Sequence, residues 1–217
     1  MDPTISAALY AGTRARVTDA VRTLGPADLD RIVPACPAWT VHNLVSHLAG
    51  VAADFVAGNL DGAPEPPWTA VQVDARRDLP LSAILAEWAA TDLESTIATS
   101  DHPLVSNLWA DAGTHEADLS AILPIPRPPT SLQLAAVRWI LDEPGALTLH
   151  TEHGTWALAG DGPPAEATTS TYELFRALMG RRHPSQIRAW TWSEPSAAGY
   201  WSHELPRLPE PAQPQTD

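Results

Sequence analysis

The chain has 217 residues and a formal net charge of −13, and all of its 13 basic residues are arginines. That length suits one large domain or a medium and a small one, and a hydrophobic content of 44% calls for a packed core. An excess of acid this large repels a phosphate backbone, and no arginine cluster reverses it locally, so nucleic acid is excluded as a partner.

In chain order, Ile5, Leu9, Val17, Val21 and Leu24 recur at near-helical spacing and predict an amphipathic helix over residues 5–24. The N-terminal MDPTISAALY has neither the basic region nor the long apolar run of a signal peptide. Cys36 is the single cysteine, so no internal disulfide forms and a cytoplasmic location is expected. Any chemistry that needs two thiols must therefore draw one from a small molecule. Thr40 reads as the N-cap of a second helix, whose stripe is Val41, Leu44, Val45, Leu48, Ala52, Phe55 and Val56. This most apolar stretch also carries His42, His47 and Asp54, too polar a set to span a bilayer, so no membrane partner is expected.

Further helices are predicted over 80–98, opening at Pro80, and over 104–123, through Leu104, Leu108, Leu119 and Ile122. Four such helices make an up-and-down bundle. The run Pro124-Ile125-Pro126-Arg127-Pro128-Pro129 stops it, and 131–142 reads as one more helix packed on the bundle. The period then changes. Residues 146–150 and 155–158 predict a hairpin turning at His153-Gly154, and 166–169 a third strand leading into a short helix, 172–179, that stops at Gly180. The fold class is thus α+β: an up-and-down helix bundle over 1–143, a small α+β domain over 144–205, and a mobile Pro-rich tail over 206–217.

Asp111 and His115 lie four apart, about 40° apart around a helix, on the stripe of Leu104, Leu108, Leu119 and Ile122. An inward carboxylate and imidazole each need a partner, because burying them alone costs several kcal/mol. They can partner each other, and on spacing alone that is the simpler reading. They can also hold a metal, as i, i+4 pairs do in bundles. His47, at the edge of its own apolar stripe, would complete a set of two imidazoles and one carboxylate suited to Zn²⁺, Ni²⁺ or Fe²⁺ with coordination positions left open. Asp118 and Asn43 read either as outer partners of these rings or as surface groups. Trp39 reads as packing at the helix entry, and Trp88 and Trp109 as pocket linings. Cys36 reads as structural, with nothing nearby to lower its pKa.

The segment Cys36-Pro-Ala-Trp39-Thr-Val-His-Asn-Leu-Val-Ser-His47-Leu-Ala-Gly50 resembles the opening motif of the mycothiol-dependent maleylpyruvate isomerases, within the DinB-like bundle superfamily. Thr171 to Trp190 resembles the small C-terminal domain of that family, and the likeness runs over about residues 5–205. The resemblance implies a DinB-like bundle with a divalent metal, zinc foremost, on His47, Asp111 and His115. The family pattern has Glu, three residues, His, so Asp111 is one methylene shorter here. It also implies a catalytic arginine that clamps a substrate carboxylate, for which Arg181, Arg182 and Arg188 are the candidates. The implied cosubstrate is mycothiol, and the expected reaction is thiolate addition to a small carbonyl compound, giving cis-trans isomerisation or thiol transfer. Two alternatives stand beside it: a metal-dependent hydrolase, lyase or cyclase without a thiol, and a non-catalytic metal or thiol sensor.

Overall fold

The computed structural model describes residues 1–217 except 101, 103, 142, 143 and 210 and the side chain of Ser106. It divides into two compact units, residues 1–127 and 128–217.

The first unit is helical. Helix α1 (Pro3–Val21) opens with Asp2 accepting from the Thr4 amide and with proline at its first position, where no amide is needed. The short α2 (Pro26–Leu29) leads into a hairpin, β1 (Ile32–Val33) and β2 (Cys36–Thr40). Helix α3 (Val41–Ala57) starts at a capping box in which Thr40 and Asn43 satisfy each other's backbone amides, and it ends at Gly58 with φ 77°. Asn43 is thereby a cap and not an outer partner of a histidine. Helices α4 (Pro66–Ala75), α5 (Leu81–Ala90), α6 (Leu93–Thr99) and α7 (Leu108–Ser120) follow. Helix α1 packs on α6 and α7, and α3 packs on α4 and α5. The core between them buries Val17, Leu44, Val45, Ile84, Leu93, Trp109 and Leu119. Trp88 is also fully buried and donates to the Tyr10 hydroxyl at 2.7 Å, so Trp88 and Trp109 fill the core and do not line a pocket.

Two predicted helices come out differently. The 80–98 helix is two, because Asp92 turns its side chain back to accept from the Ser95 amide and caps a new start. The 104–123 helix begins at Leu108 after a single 3₁₀ turn, Val105–Asn107. Helix α4 was masked by Pro66-Pro67, which reads as a breaker in sequence but sits at a helix start, where proline is tolerated. No helix among the described residues is long and apolar enough to cross a membrane.

The second unit is α+β. Helix α8 (Thr130–Ile140) falls in this unit and packs on α9 (Thr171–Leu178). Its predicted end at Asp142 and the boundary at 143 lie outside the described residues. Strands β3 (Leu147–Thr151), β4 (Gly154–Leu158), β5 (Ala165–Thr168) and β6 (Thr191–Trp192) form one sheet in the order β4-β3-β5-β6. The β3–β4 hairpin is antiparallel with Leu147 opposite Leu158, β5 runs parallel to β3, and β6 returns antiparallel to β5. Helices α10 (Pro184–Arg188) and α11 (Ala198–Glu204) complete the unit, and Leu147, Leu149, Leu174, Phe175, Ile187 and Trp201 fill its core.

Segment 206–217, expected to be mobile, is pinned at several points. The Arg207 amide donates to Leu178 O at 2.9 Å, and Gly180, at φ 65°, lets the chain pass where a Cβ would lie 2.8 Å from the Leu208 carbonyl oxygen. Gln186 exchanges two hydrogen bonds with the backbone of Gln215. The Asp217 carboxylate is buried against Arg176 Nε at 2.7 Å and Arg182 Nη1 at 2.6 Å, and accepts from the Tyr172 hydroxyl. Polar composition hid this, because a single carboxylate between two buried guanidiniums anchors the segment as apolar burial would. Asp217→Ala leaves those guanidiniums short of a countercharge, which should lower unfolding free energy by about 3–5 kcal/mol. Chemical denaturation measures it; a change below about 1 kcal/mol would mean the anchor contributes little.

Candidate metal centre

The site lies in the first unit and is built by α3 and α7. Thr40 fixes the start of α3, and His47 follows seven residues later, two turns on and on the same face. Asp111 in the first turn of α7 and His115 one turn later project together from that helix. The structure brings all three together: their ligand atoms lie within 4.8 Å of one another. His47 Nε2 is 3.8 Å from one Asp111 oxygen, and His115 Nε2 is 3.7 Å from the other. Both separations are under twice a metal–ligand bond of about 2.1 Å, so one ion can touch each pair. The two rings meet edge to face with centroids 5.3 Å apart. Both histidines are buried, whereas the Asp111 side chain is 39% exposed, so the centre is closed behind the rings and open beside the carboxylate.

Each histidine has its far nitrogen engaged. His115 Nδ1 lies 3.0 Å from Asp118, whose side chain is fully buried, so Asp118 is an outer partner and not a surface acid. His47 Nδ1 lies 2.9 Å from Gln72 Oε1 on α4. Burial pulls the His115 imidazolium pKa down, but the hydrogen bonds to Asp118 and Cys36 and the Asp111 charge outweigh it, leaving the pKa at about 10. A metal-free His115 therefore carries a proton near neutrality, and an ion must displace it.

Three features were not legible in the sequence. The Trp39 ring packs over both imidazoles, at centroid distances of 4.8 Å from His47 and 5.9 Å from His115, where sequence suggested only packing at the helix entry. Cys36 Sγ sits 3.8 Å from the Asp118 carboxylate, so it borders the centre. Cys36, His115 and Asp118 also lie within 4.8 Å of one another, but that set would consume the nitrogen that His115 commits to Asp118. Gln72, in the helix hidden by its prolines, gave no signal at all.

The candidate arginines lie in the second unit. Arg182 forks onto Glu173 through Nε and Nη2, at 2.7 and 2.8 Å, and reaches Asp217 with Nη1. Arg181 donates to Met179 O, and the exposed Arg188 reaches Ser202 Oγ at 3.4 Å.

A helical unit that brings two buried imidazoles and a carboxylate together, followed by a small α+β unit, has the DinB-like fold. Residues 10–120 match the family described as mycothiol maleylpyruvate isomerase N-terminal domain, and the chain belongs to that family. Its fold is shared by the crystal structure of the mycothiol-dependent maleylpyruvate isomerase and by that of a histidine-to-alanine mutant of the enzyme. Both align at TM-score 0.58 and 15% identity over 97% of this chain and 96% of theirs. No curated protein matches the sequence.

Proposed function

We propose that the protein is a mycothiol-dependent metalloenzyme acting on a small carbonyl-containing molecule, by cis-trans isomerisation or thiol transfer. The observation that carries this reading is the convergence of His47, Asp111 and His115 on one point with an open side at Asp111. Two neutral nitrogens and one carboxylate suit zinc, with nickel and iron as alternatives, and three protein donors leave room for a further ligand. The family match supports mycothiol as that ligand.

A bound divalent ion supplies Lewis acidity that makes a thiol a thiolate near neutral pH, without a protein cysteine. His47 and His115 hold their rings rigidly through Gln72 and Asp118, so the acceptor position is fixed before a thiol arrives. Trp39 packs against both rings and so restricts their movement. In an isomerisation the thiolate sulfur bonds to one carbon of a cis double bond, and the π pair moves onto the conjugated carbonyl. The former double bond rotates as a single bond, then re-forms trans as the C–S bond breaks and the thiolate leaves. In a transfer the C–S bond persists, and the enolate takes up a proton at the carbon next to the carbonyl.

The resemblance implies that one of Arg181, Arg182 and Arg188 holds the substrate carboxylate, and of these the Arg182 fork is already taken by Glu173 and Asp217. Arg188→Ala should raise KM for a carboxylate substrate while the melting temperature stays put; Arg182→Ala should lower the melting temperature instead. An unchanged KM in Arg188→Ala would remove that residue from the proposal. The function as a whole is tested by metal analysis of the purified protein, then turnover of maleylpyruvate and related cis-enoyl acids with and without mycothiol.

A further inference from the structure

We propose that Gln72 is a positioning residue of the metal centre: it selects the tautomer of His47, and it does so without adding a charge. The inference rests on the metal reading above and concerns a residue outside the ligand set.

The orientation of the Gln72 amide follows from its neighbours. Its Nε2 lies 2.9 Å from Asp54 Oδ2, and a carboxylate only accepts, so that end is the NH₂. The Oε1 end must then face His47 Nδ1, 2.9 Å away. An amide oxygen only accepts, so in the neutral His47 ring the proton sits on Nδ1 and Nε2 keeps the lone pair. Nε2 is the nitrogen that faces Asp111. The chain Asp54–Gln72–His47 thus fixes which nitrogen is offered to an ion.

The packing around Gln72 holds it in place. The residue is 2% exposed, and its backbone carbonyl accepts from Arg76 Nη1 at 2.9 Å. Arg76 is in turn forked onto Glu87. Gly50 makes the approach of α4 to α3 possible: a Cβ there would lie 2.5 Å from Gln72 Cβ and 2.9 Å from Arg76 Nη1. Gly50 is one turn after His47 on the same helix. The glycine that closes the His47-Leu48-Ala49-Gly50 segment is therefore the space into which the partner of His47 fits.

The two histidines receive unlike partners, a carboxylate for His115 and an amide for His47. Asp111 and Asp118 already balance the two charges of a divalent ion. A third carboxylate behind His47 would make the centre negative and oppose an incoming thiolate. A neutral partner orients the ring and leaves the open position receptive to an anion.

Zinc affinity, read by chelator competition, should fall about 10–100-fold in Gln72→Leu, the usual cost of losing such a partner. The double variant Gln72→Glu, Asp54→Asn reverses the outer hydrogen bond and restores an acceptor to His47. It should regain zinc affinity to within a few-fold of wild type. Its cobalt form should bind 2-mercaptoethanol about tenfold more weakly by absorption titration, because the exchange moves a negative charge from position 54 to position 72, directly behind His47. A Gln72→Leu protein that binds zinc as wild type does, or a double variant as weak as Gln72→Leu, would overturn the proposal. Histidine ¹⁵N NMR of the metal-free wild type adds a readout that needs no variant to fold: His47 should hold its proton on Nδ1, and a proton on Nε2 would also overturn it. His115→Ala serves as the reference. If wild type and His115→Ala hold zinc equally, the metal reading itself fails; if only His115→Ala loses zinc, the fault lies with Gln72.

Discussion

His47→Ala and His115→Ala should each lose more than 100-fold in affinity for a divalent ion, since losing an outer partner alone costs about 10–100-fold and a ligand bond is stronger. Turnover should fall with metal content. The two variants should differ in stability, and the difference comes from what each histidine leaves behind. His115→Ala strips a hydrogen bond from the fully buried Asp118 carboxylate, and a buried charge deprived of its partner costs about 3–5 kcal/mol. His47→Ala leaves a neutral amide that still bonds to Asp54, where the cost of an unsatisfied acceptor is about 1–3 kcal/mol. His47→Ala is the cleaner probe of metal binding, and His115→Gln, whose amide can still donate to Asp118, is the control for folding. Metal analysis and thermal melts on the same samples measure both effects. Stoichiometric metal in the double variant His47→Ala, His115→Ala would place the ligands elsewhere.

What the sequence made legible was set by period and by local chemistry. Helices α3 and α7 carry their own stripes and, for α3, a capping box, so both histidines and Asp111 fell on predicted inward faces. The likeness at Cys36–Gly50 supplied the link between them, which no spacing could. The family match over residues 10–120 and the shared fold bear out the family and the α+β class. The larger misses depend on contacts far along the chain. Gln72 meets His47 from 25 residues away, and the prolines that open α4 disguised its helix. Trp39 precedes the N-cap, and nothing local says that its ring folds over the histidines. The 206–217 segment is polar and Pro-rich, yet one carboxylate finds two guanidiniums from α9 and the turn after it.

Thiol dependence should be the other large effect: without added mycothiol, turnover should fall to the background rate. Cys36 is the one protein thiol, and its sulfur lies beside Asp118, on the Nδ1 side of His115 and away from the nitrogen that faces Asp111. It is therefore poorly placed to serve as the nucleophile. Cys36→Ser keeps a small polar group next to Asp118 and should retain most activity, whereas omission of mycothiol should abolish it. A cobalt-substituted protein should change its visible spectrum as the thiol is titrated, because sulfur donation alters both the charge and the ligand type at the ion. Asp111 bears on which substrate is used. One methylene shorter than the glutamate that the resemblance implies, Asp111 would hold its carboxylate closer to α7 and leave a wider open side. Substrates bulkier than maleylpyruvate should then be turned over at least as well, and Asp111→Glu should shift preference toward the smaller acid. Full turnover of the preferred substrate without any thiol would favour a hydrolase, lyase or cyclase on the same three residues. Full turnover after complete removal of metal would remove both readings, because neither the thiol nor the water route has another source of activation at His47 and His115.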